Sequence, residues 1–257
     1  MNIADKVALV TGGAGGFGEA TARRVVADGG RVVIADLARE PGELLAKELG
    51  KAAIYVSTDV TDEDSVSAAV AAAGELGELR VMVSAHGGPT ALAKIVDRQG
   101  KAMPQAAFDR TVALYLSGVF NVMRQAAAAM AALPEVGSSG RGVIVNTASI
   151  AAYEAQVGQA DYAAAKGGVV GLNLAAARDL ASHGIRVMTI APGTFFTPAY
   201  GMDEDQAQEA FGTKVPFPSR MGRAQEYADL VASIVANDYL NGEVIRIDGA
   251  LRFPPRG

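Results

Sequence analysis

Ser149, Tyr162 and Lys166 are the residues whose types and spacing are best suited to chemistry in this chain. Tyr162 and Lys166 stand four apart in Tyr162-Ala163-Ala164-Ala165-Lys166, so on a helix their side chains share a face. A free tyrosine titrates near pH ~10, too high for an effective base near neutrality, and an adjacent ammonium favours its phenolate. Ser149 adds a hydrogen-bond donor for the same oxygen. A proton carrier, a cation that tunes it and a donor suit reaction at a carbonyl or an alcohol. Tyr-x-x-x-Lys alone equally describes an amphipathic helix with a buried tyrosine and a surface lysine, so the surrounding elements have to decide.

Those elements read as strands alternating with Ala-rich helical segments. Short β-branched runs predict seven strands: Val7 to Val10, Arg31 to Ala35, Ala53 to Ser57, Leu79 to Ser84, Gly142 to Thr147, Ile185 to Ala191 and Glu243 to Ile247. Nearly continuous apolar character suits strands covered on both faces, and the intervening segments are long enough for crossovers. The expectation is an α/β fold, a single doubly wound (Rossmann) domain over residues 1–257 with a seven-stranded parallel sheet and helices on both faces. The ligand crevice of such a sheet lies at the carboxyl ends of its strands. Thr61 with Asp64 resembles a capping box, Pro41 suits a first helical turn, and Gly29-Gly30 suits a helix end. Two long irregular stretches, Ala85 to Pro104 and Pro192 to Gly222, are expected to border the site. The second is read as the substrate loop, with a short lid helix over Asp203 to Thr213.

Composition narrows the partners. The chain has 257 residues, half of them apolar, with 30 Gly and no Trp, which suits close packing of helices on a sheet and not disorder. A net charge of −5 without a basic run offers nothing to nucleic acid or an anionic membrane, and small molecules are the expected partners. The absence of cysteine removes disulfides and thiol nucleophiles. No metal site is expected. Met1 to Lys6 runs directly into Val7-Ala8-Leu9-Val10 without a charged leader, which reads as cytoplasmic. No apolar stretch approaches the roughly 20 residues that span a bilayer.

The first strand empties into Thr11-Gly12-Gly13-Ala14-Gly15-Gly16-Phe17-Gly18 ahead of a helical segment. Glycines there permit a sharp turn and let backbone amides approach a pyrophosphate at a helix N-terminus. Gly13, Gly15 and Gly18 fit G-x-G-x-x-G, while Gly12, Gly16 and Gly18 fit T-G-x-x-x-G-x-G. Asp36, at the end of the second strand, can accept both hydroxyls of an adenosine ribose. It would repel the 2′-phosphate of NADP by roughly 1 to 4 kcal/mol, depending on effective dielectric, so NAD is the expected cofactor. Arg39 is the nearby residue able to blunt that preference.

The glycine turn, Asp36, Ser149, Tyr162 and Lys166, in this order, resemble the short-chain dehydrogenase/reductase family over essentially the whole chain. The resemblance implies that Gly12, Gly16 and Gly18 take the structural roles, with Gly15 and Phe17 beside the cofactor. It also implies that Asp59-Val60 contacts adenine, that Ala85 and Gly87 border the nicotinamide half, and that Pro192, Phe195 and Thr197 form the turn holding the carboxamide. A narrower resemblance rests on Asn146-Thr147-Ala148-Ser149, Gln156-Val157-Gly158-Gln159, Arg186 to Gly193, Val215 to Arg220 and Leu240 to Arg246. These segments are similar to the type II 3-hydroxyacyl-CoA dehydrogenases of that family. The implied activity is reversible, NAD-dependent oxidation of a secondary alcohol such as 3-hydroxyacyl-CoA in a homotetramer. Tyr162 would be the acid/base, Ser149 would hold the reacting oxygen, and Lys166 would tune Tyr162 and bind the nicotinamide ribose. Gln156 and Gln159 would line the substrate mouth, or else be surface residues at a helix start.

Two places depart from the family pattern. Where the family commonly shows Asn-Asn-Ala-Gly, this chain has Ser84-Ala85-His86-Gly87, and His86 reads either as a titrating group near the cofactor or as a satisfied loop histidine. Tyr115 stands where the family usually has the asparagine of its proton relay. Two rival readings follow: an NADPH-dependent 3-oxoacyl carrier-protein reductase, which Asp36 opposes, and a non-catalytic dinucleotide-binding scaffold or sensor.

Overall fold

The structure, a computed structural model, describes residues 1–197 and 201–256. Its main sheet is built from β1 (Val7–Thr11), β2 (Arg31–Asp36), β3 (Ala53–Ser57), β4 (Leu79–Ser84), β5 (Gly142–Thr147) and β6 (Ile185–Pro192). A two-residue pair, β7 (Phe195–Phe196) with β8 (Gly222–Arg223), intervenes before the last main strand, β9 (Val244–Ile247). All seven main strands are parallel, in the order β3-β2-β1-β4-β5-β6-β9. The expected doubly wound sheet is therefore present, with strand bounds displaced by one residue at most. The β7–β8 pair was not anticipated, because two residues carry no periodicity to read.

Successive side chains of a strand point to opposite faces, and the core divides accordingly. Ala8, Val10, Val32, Ile34, Val81 and Val83 pack on one face, with Ala22 and Val25 of α1 (Gly16–Ala27) and Leu45 of α2 (Arg39–Leu49). Val7, Leu9, Val33, Ala35 and Met82 pack on the other, with Val66 and Ala69 of α3 (Glu63–Leu76). After β4 come α4 (Gln105–Val112), a π-helical turn (Ala113–Ser117) and α5 (Gly118–Ala131). The short α6 (Ala151–Glu154) and long α7 (Ala160–Asp179) follow β5, and α8 (Glu204–Phe211) and α9 (Ala224–Ala236) precede β9.

Local signals account for most helix ends. Gly29, at φ +83°, follows the end of α1, and Pro41 occupies the first turn of α2. The cap of α3 is Asp62, not Thr61 as the capping-box spacing suggested. Asp62 accepts from Ser65 N at 2.8 Å, while the Thr61 hydroxyl is spent on Asp59 Oδ1 at 2.7 Å. The segment from Asp203 to Thr213 contains α8, capped by Asp203, which accepts from Gln206 N at 2.8 Å. Among the described residues, no helix is long and apolar enough to cross a membrane.

Strand order reverses at β1 and β4, so the loops leaving their carboxyl ends diverge and open a crevice between them.

Candidate active site

The crevice is a cleft of about 700 Å³ whose lining includes Gly12, Gly15, Gly16, Phe17 and Asp36 at one end and Ser149, Tyr162 and Lys166 at the other. Ala85, Gly87, Pro192 and Thr197 border it between them. Another hollow, about 620 Å³, lies beside Met1 between α1 and α9 and brings none of these groups together.

At the first end, the chain turns from β1 into α1 through Gly12, at φ +66°. A Cβ on Gly12 would lie 2.5 Å from His86 Cα, and one on Gly18 would lie 2.0 Å from the Gly12 carbonyl oxygen. Gly18 therefore lets α1 seat directly on the turn, although it does not line the cleft itself. Gly15 differs: a Cβ there would meet nothing within 4 Å, so this backbone faces open space. No side chain caps α1 at Gly15, which leaves first-turn amides to another acceptor. The Asp36 carboxylate accepts from Ala14 N at 3.0 Å and from Ala38 N at 2.9 Å. Two amides fix it while lone pairs remain for a diol. The glycine turn and this carboxylate fit a dinucleotide. Arg39 turns away into an ion pair with Glu43 at 2.8 Å.

At the other end, α7 carries Tyr162 and Lys166 on one face, and Ser149 follows β5. Ser149 Oγ accepts from Ala151 N at 3.1 Å, which leaves its hydroxyl hydrogen available to another acceptor. Lys166 is only 2% exposed and donates to Thr147 O at 2.6 Å. Its Nζ lies 4.7 Å from the ring centroid of Tyr115 and 5.8 Å from that of Tyr162. Burial pushes the lysine down to about 7. The carbonyl and the two ring faces oppose that push by favouring the ammonium.

The two departures from the family pattern are resolved in space. His86 Nε2 faces Leu114 O at 3.2 Å and so carries the ring hydrogen, while Nδ1 accepts from Thr11 Oγ1 at 2.7 Å. Burial, with the Lys166 charge second, lowers its pKa to about 4. It is a satisfied neutral histidine. Tyr115 lies in the π-helical turn, 6% exposed, and its ring meets Tyr162 edge-on at 5.1 Å.

Other sequence candidates lie outside the lining of the cleft. Asp59 turns its carboxylate to the amide and hydroxyl of Thr61, at 2.9 and 2.7 Å. Val60 is buried, and its carbonyl accepts from Asn121 Nδ2 at 3.0 Å. Phe195 packs edge-on beneath Phe17 at 5.1 Å. Gln159 Oε1 accepts from Gln156 N at 3.0 Å, and Gln156 Nε2 reaches Pro254 O at 3.3 Å, so the two close a turn against the C-terminal segment. Gly193, read from the sequence as part of the Pro192 to Thr197 turn, lines the cleft, as do Gly88, Pro89 and Thr147, to which sequence reasoning gave no role. Gly88 and Pro89 were signalled only as part of the long stretch after β4, and Thr147 acts through its carbonyl, which no side-chain pattern reveals.

A family model described as short chain dehydrogenase matches residues 6–208. The chain is 48% identical over 250 residues to 3-hydroxyacyl-CoA dehydrogenase type-2 of Bos taurus, covering 97% of this chain and 96% of the relative. It is 45% identical over 254 residues to the protein of that name from Drosophila melanogaster, covering 98% and 100% respectively. The crystal structure of 3-hydroxyacyl-CoA dehydrogenase type-2 from Mycobacterium avium superposes with a TM-score of 0.94 at 53% identity, covering 98% of this chain and 97% of that one. With the glycine turn, the serine, the tyrosine and the buried lysine gathered around one cleft, these matches establish that the chain belongs to the short-chain dehydrogenase family and is an oxidoreductase using a nicotinamide dinucleotide.

Proposed function

We propose that the chain interconverts 3-hydroxyacyl-CoA and 3-oxoacyl-CoA with NAD as cofactor. The observation that carries this reading is the single cleft joining Asp36 and the glycine turn to Ser149, Tyr162 and Lys166. The high identity to proteins named 3-hydroxyacyl-CoA dehydrogenase type-2 supports the substrate class.

In the oxidative direction, Tyr162 takes the proton of the substrate hydroxyl. Ser149 donates to the same oxygen with its hydroxyl hydrogen, which the bond accepted from Ala151 N leaves available. Lys166 supplies the positive charge that favours the Tyr162 phenolate and offers further N–H groups to ribose hydroxyls. A nicotinamide dinucleotide, when bound, supplies the acceptor for the hydride leaving the substrate carbon. Asp36 accepts from the ribose diol and disfavours a 2′-phosphate, which selects NAD over NADP. Residues 192–222 act as the substrate-side loop of one functional unit spanning 1–257. The homotetramer implied by the family resemblance and the cytoplasmic location read from the sequence belong to the same reading, and sedimentation of the purified protein tests the oligomer.

Initial rates of acetoacetyl-CoA reduction with NADH and with NADPH test the assignment. Turnover with a clear NADH preference is expected. A strong NADPH preference would favour the reductase reading. NADH binding without turnover of any acyl-CoA, hydroxysteroid or simple secondary alcohol would favour the scaffold.

A further inference from the structure

The start of the loop after β4 is fastened to the π-helical turn at two neighbouring residues, and the two side chains that do it, His86 and Tyr115, stand where the chain departs from its family's pattern. His86 reaches Leu114 O at 3.2 Å. Next to it, the Tyr115 hydroxyl donates to Gly88 O at 2.5 Å and accepts from Gly88 N at 2.8 Å. One phenol thus holds both backbone groups of a single residue. A Cβ at position 88 would lie 2.9 Å from Leu114 Cδ2, the movable end of a side chain, so it is the phenol and not crowding that fixes this backbone. Gly87, Gly88 and Pro89 form a wall of the cleft, so the bond fixes part of the surface facing substrate. The ring of Tyr115 meanwhile stands edge-on to Tyr162 at 5.1 Å, with Lys166 Nζ 4.7 Å from its centroid.

We propose that Tyr115 is a positioning residue with two separable jobs: its hydroxyl holds the Gly87–Pro89 wall, and its ring keeps the Lys166 ammonium beside Tyr162. The second job rests on the reading of Tyr162 and Lys166 as the acid–base pair. The first does not depend on it.

The physical case for the ring is that Lys166 is buried, which disfavours its charge, and an aromatic face recovers part of the loss where an aliphatic side chain would not. The titratable groups around the pair are Tyr162 and Asp161 from α7 and His86 from the loop after β4. His86 is neutral above about pH 4. Asp161 is engaged by Thr111 Oγ1 at 2.6 Å and by Ala91 N at 3.0 Å. Burial first, and the Asp161 carboxylate in addition, raise the Tyr115 pKa and keep its phenol protonated, as donation to Gly88 O requires. Neither neighbour supplies a second cation, so the charge felt by Tyr162 from within the protein is that of Lys166.

Two substitutions separate the jobs. Tyr115→Phe keeps the ring and loses the hydroxyl. In cofactor-free protein, the backbone amides around Gly88 should then exchange with deuterium at least about tenfold faster, on the scale of one lost hydrogen bond. KM for the acyl-CoA should rise several-fold with kcat little changed, and the pH profile should keep its position. Tyr115→Leu removes both functions. The acid limb of oxidative kcat/KM should move upward by about half to one pH unit, because less cation is present to favour the Tyr162 phenolate. Tyr115→Met serves in its place if the leucine variant does not fold. Wild-type exchange and KM in the phenylalanine variant would overturn the clamp, and an unshifted acid limb in the aliphatic variant would overturn the ring's role. If the wild-type protein turned over no secondary alcohol, the acid–base reading would fail and the ring's role with it, while amide exchange would still decide the clamp.

Discussion

Lys166 Nζ donates to the carbonyl oxygen of Thr147 at 2.6 Å, which ties α7 to the end of the strand that leads to Ser149. The lysine is thereby fixed deep in the cleft, at a cost set by burial, which lowers its pKa from 10.5 to about 7. In the cofactor-free protein the folded lysine gives up its proton between those values while the unfolded one keeps it; the ribose hydroxyls and the Tyr162 phenolate of the proposed complex favour its ammonium form. Stability of the cofactor-free protein should therefore rise as pH increases from about 7 to about 10, with Lys166 contributing at most on the order of 5 kcal/mol. Lys166→Met should remove this component and lower turnover by at least about a hundredfold. Urea denaturation of both proteins across that range checks it: the two stability curves should converge toward low pH or cross, whereas parallel curves would refute the burial argument.

Asp36 is held by two backbone amides, at Ala14 and Ala38, and so presents its charge in a fixed place. Asp36→Ala should lower the NADH-over-NADPH ratio of kcat/KM by roughly 5- to 1000-fold, the equivalent of about 1 to 4 kcal/mol of lost repulsion. Steady-state rates with both cofactors decide it. An unchanged ratio would assign cofactor choice to other residues.

Gly15 and Gly18 sit three apart in one turn and should fail in opposite ways. A methyl at Gly18 would meet the Gly12 carbonyl at 2.0 Å, a backbone atom that cannot swing aside. Gly18→Ala should lower Tm by at least about 5 °C through overpacking. A methyl at Gly15 meets no protein atom within 4 Å but projects into the cleft. Gly15→Ala should leave Tm nearly unchanged and weaken NADH binding by about tenfold or more, as read by fluorescence titration. Equal effects on Tm would contradict the distinction.

His86 is neutral in the folded protein down to about pH 4, against an ordinary value of 6.5. Below pH 6.5 the unfolded chain gains a proton that the folded chain refuses, so this group costs stability as pH falls from about 6.5 toward 4. His86→Gln should flatten that acid-side loss by on the order of 3 kcal/mol. It should not move the pH profile of kcat/KM, since the ring does not titrate in the working range. A shifted profile would return His86 to the chemistry.

The strands were legible because a sheet covered on both faces needs long apolar, β-branched runs, and Val7 to Val10 or Ile185 to Ala191 have no other plausible use. The glycine turn, Asp36, Ser149, Tyr162 and Lys166 were legible because their chemistry depends on residue type at fixed spacing. What escaped reading depends on backbone atoms and distant pairing. The cap of α3 went to Asp62 because Thr61 found a nearer partner in Asp59, a competition that spacing does not rank. The partner of Lys166 is a carbonyl, and that of Tyr115 is the backbone of Gly88. Tyr115 could be recognised as a departure from its family's pattern, but a π-helical turn was needed to show where its hydroxyl goes.

The most direct measurement on the assigned chemistry is the turnover and NADH affinity of Tyr162→Phe, which removes one oxygen and keeps the ring that Tyr115 meets edge-on. Loss of kcat by at least about a thousandfold, with the NADH dissociation constant changed less than about threefold, is the expected result. Turnover within about tenfold of the wild type would mean that the proton moves by another route and that Tyr162 is not the acid–base group.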